Sequence, residues 1–119
     1  MEKYSCVGRF NANAVKSDVY IIGNSNNNSL RGGQSNSSLW GGASDSDDTL
    51  YGGNSNVFIY GKNEGNDAIR NAKNTDTVKL YNVNFSDLSF SVLSNKMILS
   101  VESGTLTIES KKTPIIQTA

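Results

Sequence analysis

The chain has 119 residues, 36% of them hydrophobic, against roughly 45–50% in ordinary globular domains, so a conventional two-layer core would be thin. Eleven basic residues balance eleven acidic ones, which leaves no electrostatic footprint for nucleic acid, and the absence of histidine excludes a His triad, a His metal site and a His general base. The single cysteine, Cys6, excludes an internal disulfide framework, and no apolar run suits a membrane span or a cleaved secretory leader.

Residues 1–17 carry no clear pattern and read as a lead-in. From residue 18 one loop is written four times: Gly23-Asn24-Ser25-Asn26, Gly32-Gly33-Gln34-Ser35-Asn36, Gly41-Gly42-Ala43-Ser44-Asp45 and Gly52-Gly53-Asn54-Ser55-Asn56. Each loop leads to an apolar residue with a bulky or polar neighbour: Leu30-Arg31, Leu39-Trp40, Leu50-Tyr51 and Ile59-Tyr60. The inward-facing series Ile21, Leu30, Leu39, Leu50, Ile59, Ile69 and Val78 has spacings of 9, 9, 11, 9, 10 and 9. Repetition at so short a period predicts a solenoid over 18–80, in which a short strand and a turn make half a coil. The Gly and Asn density excludes helix, and the apolar residues do not recur at helical spacing. An Asn/Ser/Gly-rich stretch at 23–56 also fits disorder, but the regular Leu/Ile spacing argues against it.

The tail reads differently. Leu88 to Val92 and Thr105 to Glu109 alternate apolar with polar, and Met97 to Val101 is a third apolar run. This predicts an antiparallel meander over 81–110 that caps the solenoid and protects its edge. Residues 111–119 carry no clear signal. The expected fold is therefore all-β: a parallel β-roll of about seven half-turns with a short antiparallel cap.

The loop-and-strand unit resembles the RTX nonapeptide repeat of hemolysin-type calcium-binding proteins, of form G-G-x-G-x-D-x-U-x. Gly32 to Trp40 and Gly52 to Tyr60 fit its length, and Asp48-Thr49-Leu50-Tyr51-Gly52-Gly53 fits its sequence closely. Val57 to Ile69 resembles the end of such arrays, and Asp76-Thr77-Val78-Lys79-Leu80 with Asp87-Leu88-Ser89-Phe90 resembles the β segment that follows them. The resemblance implies a parallel β-roll that holds Ca²⁺ in its turns, through loop carbonyls and the sixth-position Asp. It also implies type I export without a cleaved leader, and hence an extracellular, secreted or cell-surface location.

This sequence departs from the pattern at the metal positions. Ser25, Ser35, Ser44 and Ser55 stand where the fourth-position Gly is expected, and the sixth-position Asp becomes Asn28, Ser37 and Val57, surviving as Asp48. Loops 23–28, 41–48 and 61–67 share one edge of the predicted roll; loops 32–37, 52–57 and 71–76 share the other. The first edge collects Asp45, Asp47, Asp48, Glu64 and Asp67, whereas the second has only Asp76 at its end. Calcium needs six to eight oxygens, several of them carboxylate. At most one site is therefore expected, between loops 41–48 and 61–67. Asp48 and Asp67 are its leading ligands, Asp45, Asp47 and Glu64 come next, and Gly41 and Gly42 open the cradle. The bland alternative is a solvated acidic loop.

Trp40, Tyr51 and Tyr60 lie just past the inward stripe, where they form either an exposed aromatic row or a cover for a sheet. No catalytic constellation is found. The expected function is a non-catalytic calcium-binding β-roll module, folding or stabilised on calcium outside the cell, with calcium and further domains of a larger protein as partners. Neither nucleic acid nor a membrane span is expected. A calcium-independent roll held by Ser/Asn ladders, structural or adhesive in role, is the alternative. Self-association through an uncovered first coil near Val19–Ile22 is a further expectation.

Overall fold

The computed structural model describes residues 2–5, 9–11, 18–32, 36–42, 45–52, 55–61, 64–73, 75–93, 96–101, 104–109 and 115–118. Cys6, Ser35 and Ser44 lie outside the described residues.

Strands alternate between two facing sheets. The first sheet holds β1 (Glu2–Ser5), β3 (Val19–Ile22), β5 (Ser37–Trp40), β7 (Asn56–Gly61), β9 (Thr77–Tyr81) and β13 (Ile115–Thr118), in that order and parallel throughout. The second holds β2 (Arg9–Asn11), β4 (Ser29–Arg31), β6 (Thr49–Tyr51), β8 (Asn66–Arg70) and β12 (Gly104–Glu109), also parallel. Beyond β12 the second sheet continues antiparallel through β11 (Lys96–Val101) to β10 (Ser89–Leu93). This is a β-roll: each coil lays one strand on each sheet.

The short strands follow from the short period. A three-residue strand such as Ser29–Arg31 or Thr49–Tyr51 directs one side chain inward and two outward, so a single Leu per half-coil suffices. Register stacks these residues into two columns. Ile21, Leu39, Phe58, Val78 and Ile116 align on the first sheet, and Leu30, Leu50, Ile69 and Ile108 on the second. Apart from the partly buried Ile116, their side chains are at most 2% exposed. Each such burial contributes about 1.5–3 kcal/mol, which is how a chain with few apolar residues holds a fold.

Four expectations are corrected. The inward residue of β7 is Phe58, not Ile59, which is only half-buried, because Asn56 already begins the strand and shifts the alternation by one. Tyr60 is likewise inside, at 1% exposure, so it belongs to no exposed aromatic row. The edge at Val19–Ile22 is covered, since β1 pairs with it along its length, which removes the expected surface for self-association there. Finally, β12 is antiparallel to β11 but parallel to β8. The β10–β11 hairpin is thus an excursion, after which β12 and β13 resume the roll. Strands also occupy parts of the expected lead-in (2–5 and 9–11) and tail (115–118).

Candidate metal centre

Two positions before the inward residue of β4, β6 and β8, and likewise of β5, β7 and β9, sits a buried polar residue. On one edge of the roll these are Asn28, Asp48 and Asp67; on the other they are Ser37, Asn56 and Asp76, all at most 3% exposed. The equivalent of Asp48 in the 52–57 loop is therefore Asn56, and Val57 points outward.

The first edge is stitched by two ladders of opposite sense. In the inner ladder the Asn28 amide donates to Asp48 Oδ1 at 2.7 Å and the Asp48 amide donates to Asp67 Oδ1 at 2.8 Å. Acceptors here come from the following coil. In the outer ladder the Asp47 amide donates to Asn27 Oδ1, the Asn66 amide to Asp47 Oδ1 and the Thr105 amide to Asn66 Oδ1, at 2.9, 2.9 and 3.1 Å. Acceptors there come from the preceding coil. Together they satisfy backbone donors that the turn would otherwise leave unpaired.

Glycine makes room for this packing. A Cβ on Gly41 would strike the Asp48 carboxylate, and one on Gly23 would strike Asn28 Oδ1. Gly65, at φ +81°, lies against the carbonyls of Asp45 and Ser46 in the preceding coil, so the loops stack at backbone contact. Tyr60 Oη donates to the Gly65 carbonyl at 2.7 Å and pins the turn from inside.

Within this edge three acids are buried and half-satisfied. Asp48, Glu64 and Asp67 are 1–2% exposed. Each has one oxygen bonded, Glu64 through Oε1 to the Trp40 indole N–H at 3.0 Å, while Asp48 Oδ2, Glu64 Oε2 and Asp67 Oδ2 have no hydrogen-bond partner among the described residues. Burial is the leading cause of their raised pKa values, about 6 for Asp48, about 7 for Glu64 and about 8 for Asp67, with mutual charge repulsion adding to it. Burial, and after it the charges of Asp67, Glu64 and Asp47, push the Tyr60 hydroxyl up.

The expected site residues therefore divide. Asp48, Asp67 and Glu64 are brought together as buried acids on one edge, with Gly41 and Gly42 buried beside them. Asp45 and Asp47 are exposed, and Asp47 is engaged through Oδ1 in the outer ladder. Among the described residues no three acidic side chains stand close enough to enclose an ion by themselves. The donor set still suits a hard cation. It has unpartnered buried carboxylate oxygens, a glycine cradle in front of one of them, and turn carbonyls to complete a shell. The Glu64–Trp40 bond had no sequence signal, because it joins residues 24 apart on different loops.

On the second edge the acid is fully engaged. Asp76 Oδ1 accepts from the Asn56 amide and Oδ2 from the Lys73 amide, both at 2.8 Å, so neither carboxylate oxygen is left over. No helix among the described residues is long and apolar enough to cross a membrane.

Comparison with known proteins agrees with this geometry. Residues 22–45 and 43–78 match the family described as the RTX calcium-binding nonapeptide repeat (4 copies). No curated protein matches the chain.

Proposed function

Since residues 22–78 belong to the RTX calcium-binding nonapeptide repeat family, we propose that this chain is a non-catalytic calcium-binding β-roll module that holds its ion on one edge only. Asp48 and Asp67 lead the donor set between loops 41–48 and 61–67, with Glu64 and turn carbonyls beside them. The observation that carries the reading is the set of three buried carboxylates on one edge, each with an oxygen that no described residue satisfies. A buried anion without a partner is costly, and a divalent cation offsets that cost while leaving the bonded oxygens in place. Asp45 and Asp47, both exposed, add negative potential at the rim.

Calcium then favours the folded chain, because the stacked site exists only there. The module suits a protein secreted by the type I route: loosely folded at low calcium inside the cell and ordered at high calcium outside it. The experiment is a thermal melt by circular dichroism in calcium, in magnesium and in EDTA. The expected outcome is a Tm raised by calcium and little changed by magnesium. At roughly a hundredfold excess over Kd the stabilisation is about 2.7 kcal/mol, or about 10 °C for a domain near this size.

A second reading is favoured by the two ladders, which hold the first edge without any ion. On that reading the roll is a calcium-independent structural or adhesive module. Equal melting in calcium and EDTA is its signature.

A further inference from the structure

Glu64 joins two parts of the molecule that are otherwise separate. Its Oε1 accepts from the indole N–H of Trp40 at 3.0 Å. Its Oε2 is buried without a hydrogen-bond partner among the described residues, beside the charge of Asp48 on the acidic edge. Trp40 in turn meets Tyr81 edge-on, with ring centres 5.7 Å apart and planes at 88°. Both rings line an apolar groove on the outer face of the first sheet, with Tyr20, Ile59 and Lys79.

A purely structural acceptor for an indole N–H does not need a charge. Glutamine at this position would accept the same bond through a neutral amide and avoid burying a carboxylate. The carboxylate is explained if its other oxygen has a cation to face. Resting on the calcium reading above, we propose that Glu64 is a positioning residue that ties the cation site to the Trp40 ring. Occupancy of the acidic edge by calcium thereby fixes the wall of the aromatic groove. With the ion in place Glu64 is held from both sides, by the ion at Oε2 and by the indole at Oε1. Without it, Glu64 is held by the indole and by the Gly61 backbone only, and the Trp40 ring is less firmly fixed.

Trp40 is the single tryptophan of the chain, so its emission comes from the one indole at this link. Calcium is titrated into the whole chain, following Trp40 emission and near-UV circular dichroism beside the calorimetric binding curve. The expected result is a Trp40 change whose midpoint coincides with that of binding. In Glu64→Gln, which keeps an acceptor for the indole, calcium affinity falls about 10-fold and the Trp40 change is lost even at saturation. Binding by the unaltered chain with no change at Trp40 overturns the coupling and leaves the calcium reading standing. A full Trp40 response in Glu64→Gln also overturns it, since a neutral acceptor then suffices. No calcium binding to the unaltered chain overturns both readings. Run at a temperature where far-UV circular dichroism shows the calcium-free chain already folded, the titration of the unaltered chain decides the matter even if the variant folds poorly.

Discussion

The two edges of the roll are built from the same repeat and end in different chemistry. Each places a buried polar residue two positions before the inward residue of three successive strands, and each uses side-chain oxygens to accept the backbone amide of a stacked turn. On the second edge Asp76 spends its remaining oxygen on the Lys73 amide within its own turn. On the first edge Asp48 and Asp67 have an oxygen to spare, and Glu64 adds a third. The difference between a structural aspartate and a ligand in waiting is thus one local N–H. A count of acids does not reveal it; the destination of each oxygen does.

The contrast can be broken most strongly at the first edge. Asp48→Ala or Asp67→Ala should abolish the calcium-dependent rise in Tm, a loss of about 10 °C under the saturating conditions given above. Asp67→Asn sharpens the point. It should also abolish the calcium response, yet melt higher than the unaltered chain in EDTA, because the amide oxygen keeps the Asp48 bond while the buried charge is gone.

At the second edge the expectation is reversed. Asp76→Ala removes the acceptor of one buried and one partly buried backbone amide and should cost about 3 kcal/mol, while the increment given by calcium is unchanged. Chemical denaturation with and without calcium separates the two effects.

The pH dependence is next in size. Asp48, Glu64 and Asp67 have folded-state pKa values of about 6, 7 and 8, above their ordinary values of 3.8, 4.5 and 3.8. Each is raised, so the associated stability is complete below about pH 4 and is lost as pH rises through about 6 to 8. In EDTA the Tm, as far as it depends on this edge, should therefore fall between about pH 4 and about pH 8. Calcium takes the ionised forms, so its affinity should rise across the same window, which calorimetry in buffers of different ionisation heat detects as released protons. A calcium-free Tm that climbs with pH would contradict the buried, unpartnered state of these acids.

The smallest effects test register. Asn28→Asp extends the inner ladder with another carboxylate and should tighten calcium binding several-fold. Val57→Asp, on the outward face of β7, should leave binding unchanged.

Much of this was legible in the sequence, and the exceptions have physical causes. Ile21, Leu30, Leu39, Leu50, Ile69 and Val78 are all at most 1% exposed, as their spacing predicts. The series fails at Ile59 because a period can locate a strand but cannot fix which of two adjacent apolar residues faces inward when the loop changes length. Thr105 to Glu109 alternates equally well for a parallel or an antiparallel partner, so pairing of β12 with β8 could not be read from it. Strands β1, β2 and β13 are only three or four residues long and owe their pairing to neighbours remote in sequence. At the candidate site the acids were visible as acids. Their burial was not, nor were the two opposed ladders, because both depend on how one turn sits on the next.

The β10–β11 hairpin also has a consequence for chain entropy. Register partners on successive coils of the second sheet are about one coil apart in sequence, as with Leu30 and Leu50 or Leu50 and Ile69. Across the hairpin the separation doubles, to the 39 residues between Asn66 and Thr105. Doubling a loop adds about 0.6 kcal/mol to the entropy lost on closing it. The junction of β12 with β8, like that of β13 with β9 at 38 residues, is therefore more expensive to close by chain entropy alone than the others. It is offset by a five-residue register and by the Asn66 side chain, which reaches across to both the amide and the hydroxyl of Thr105.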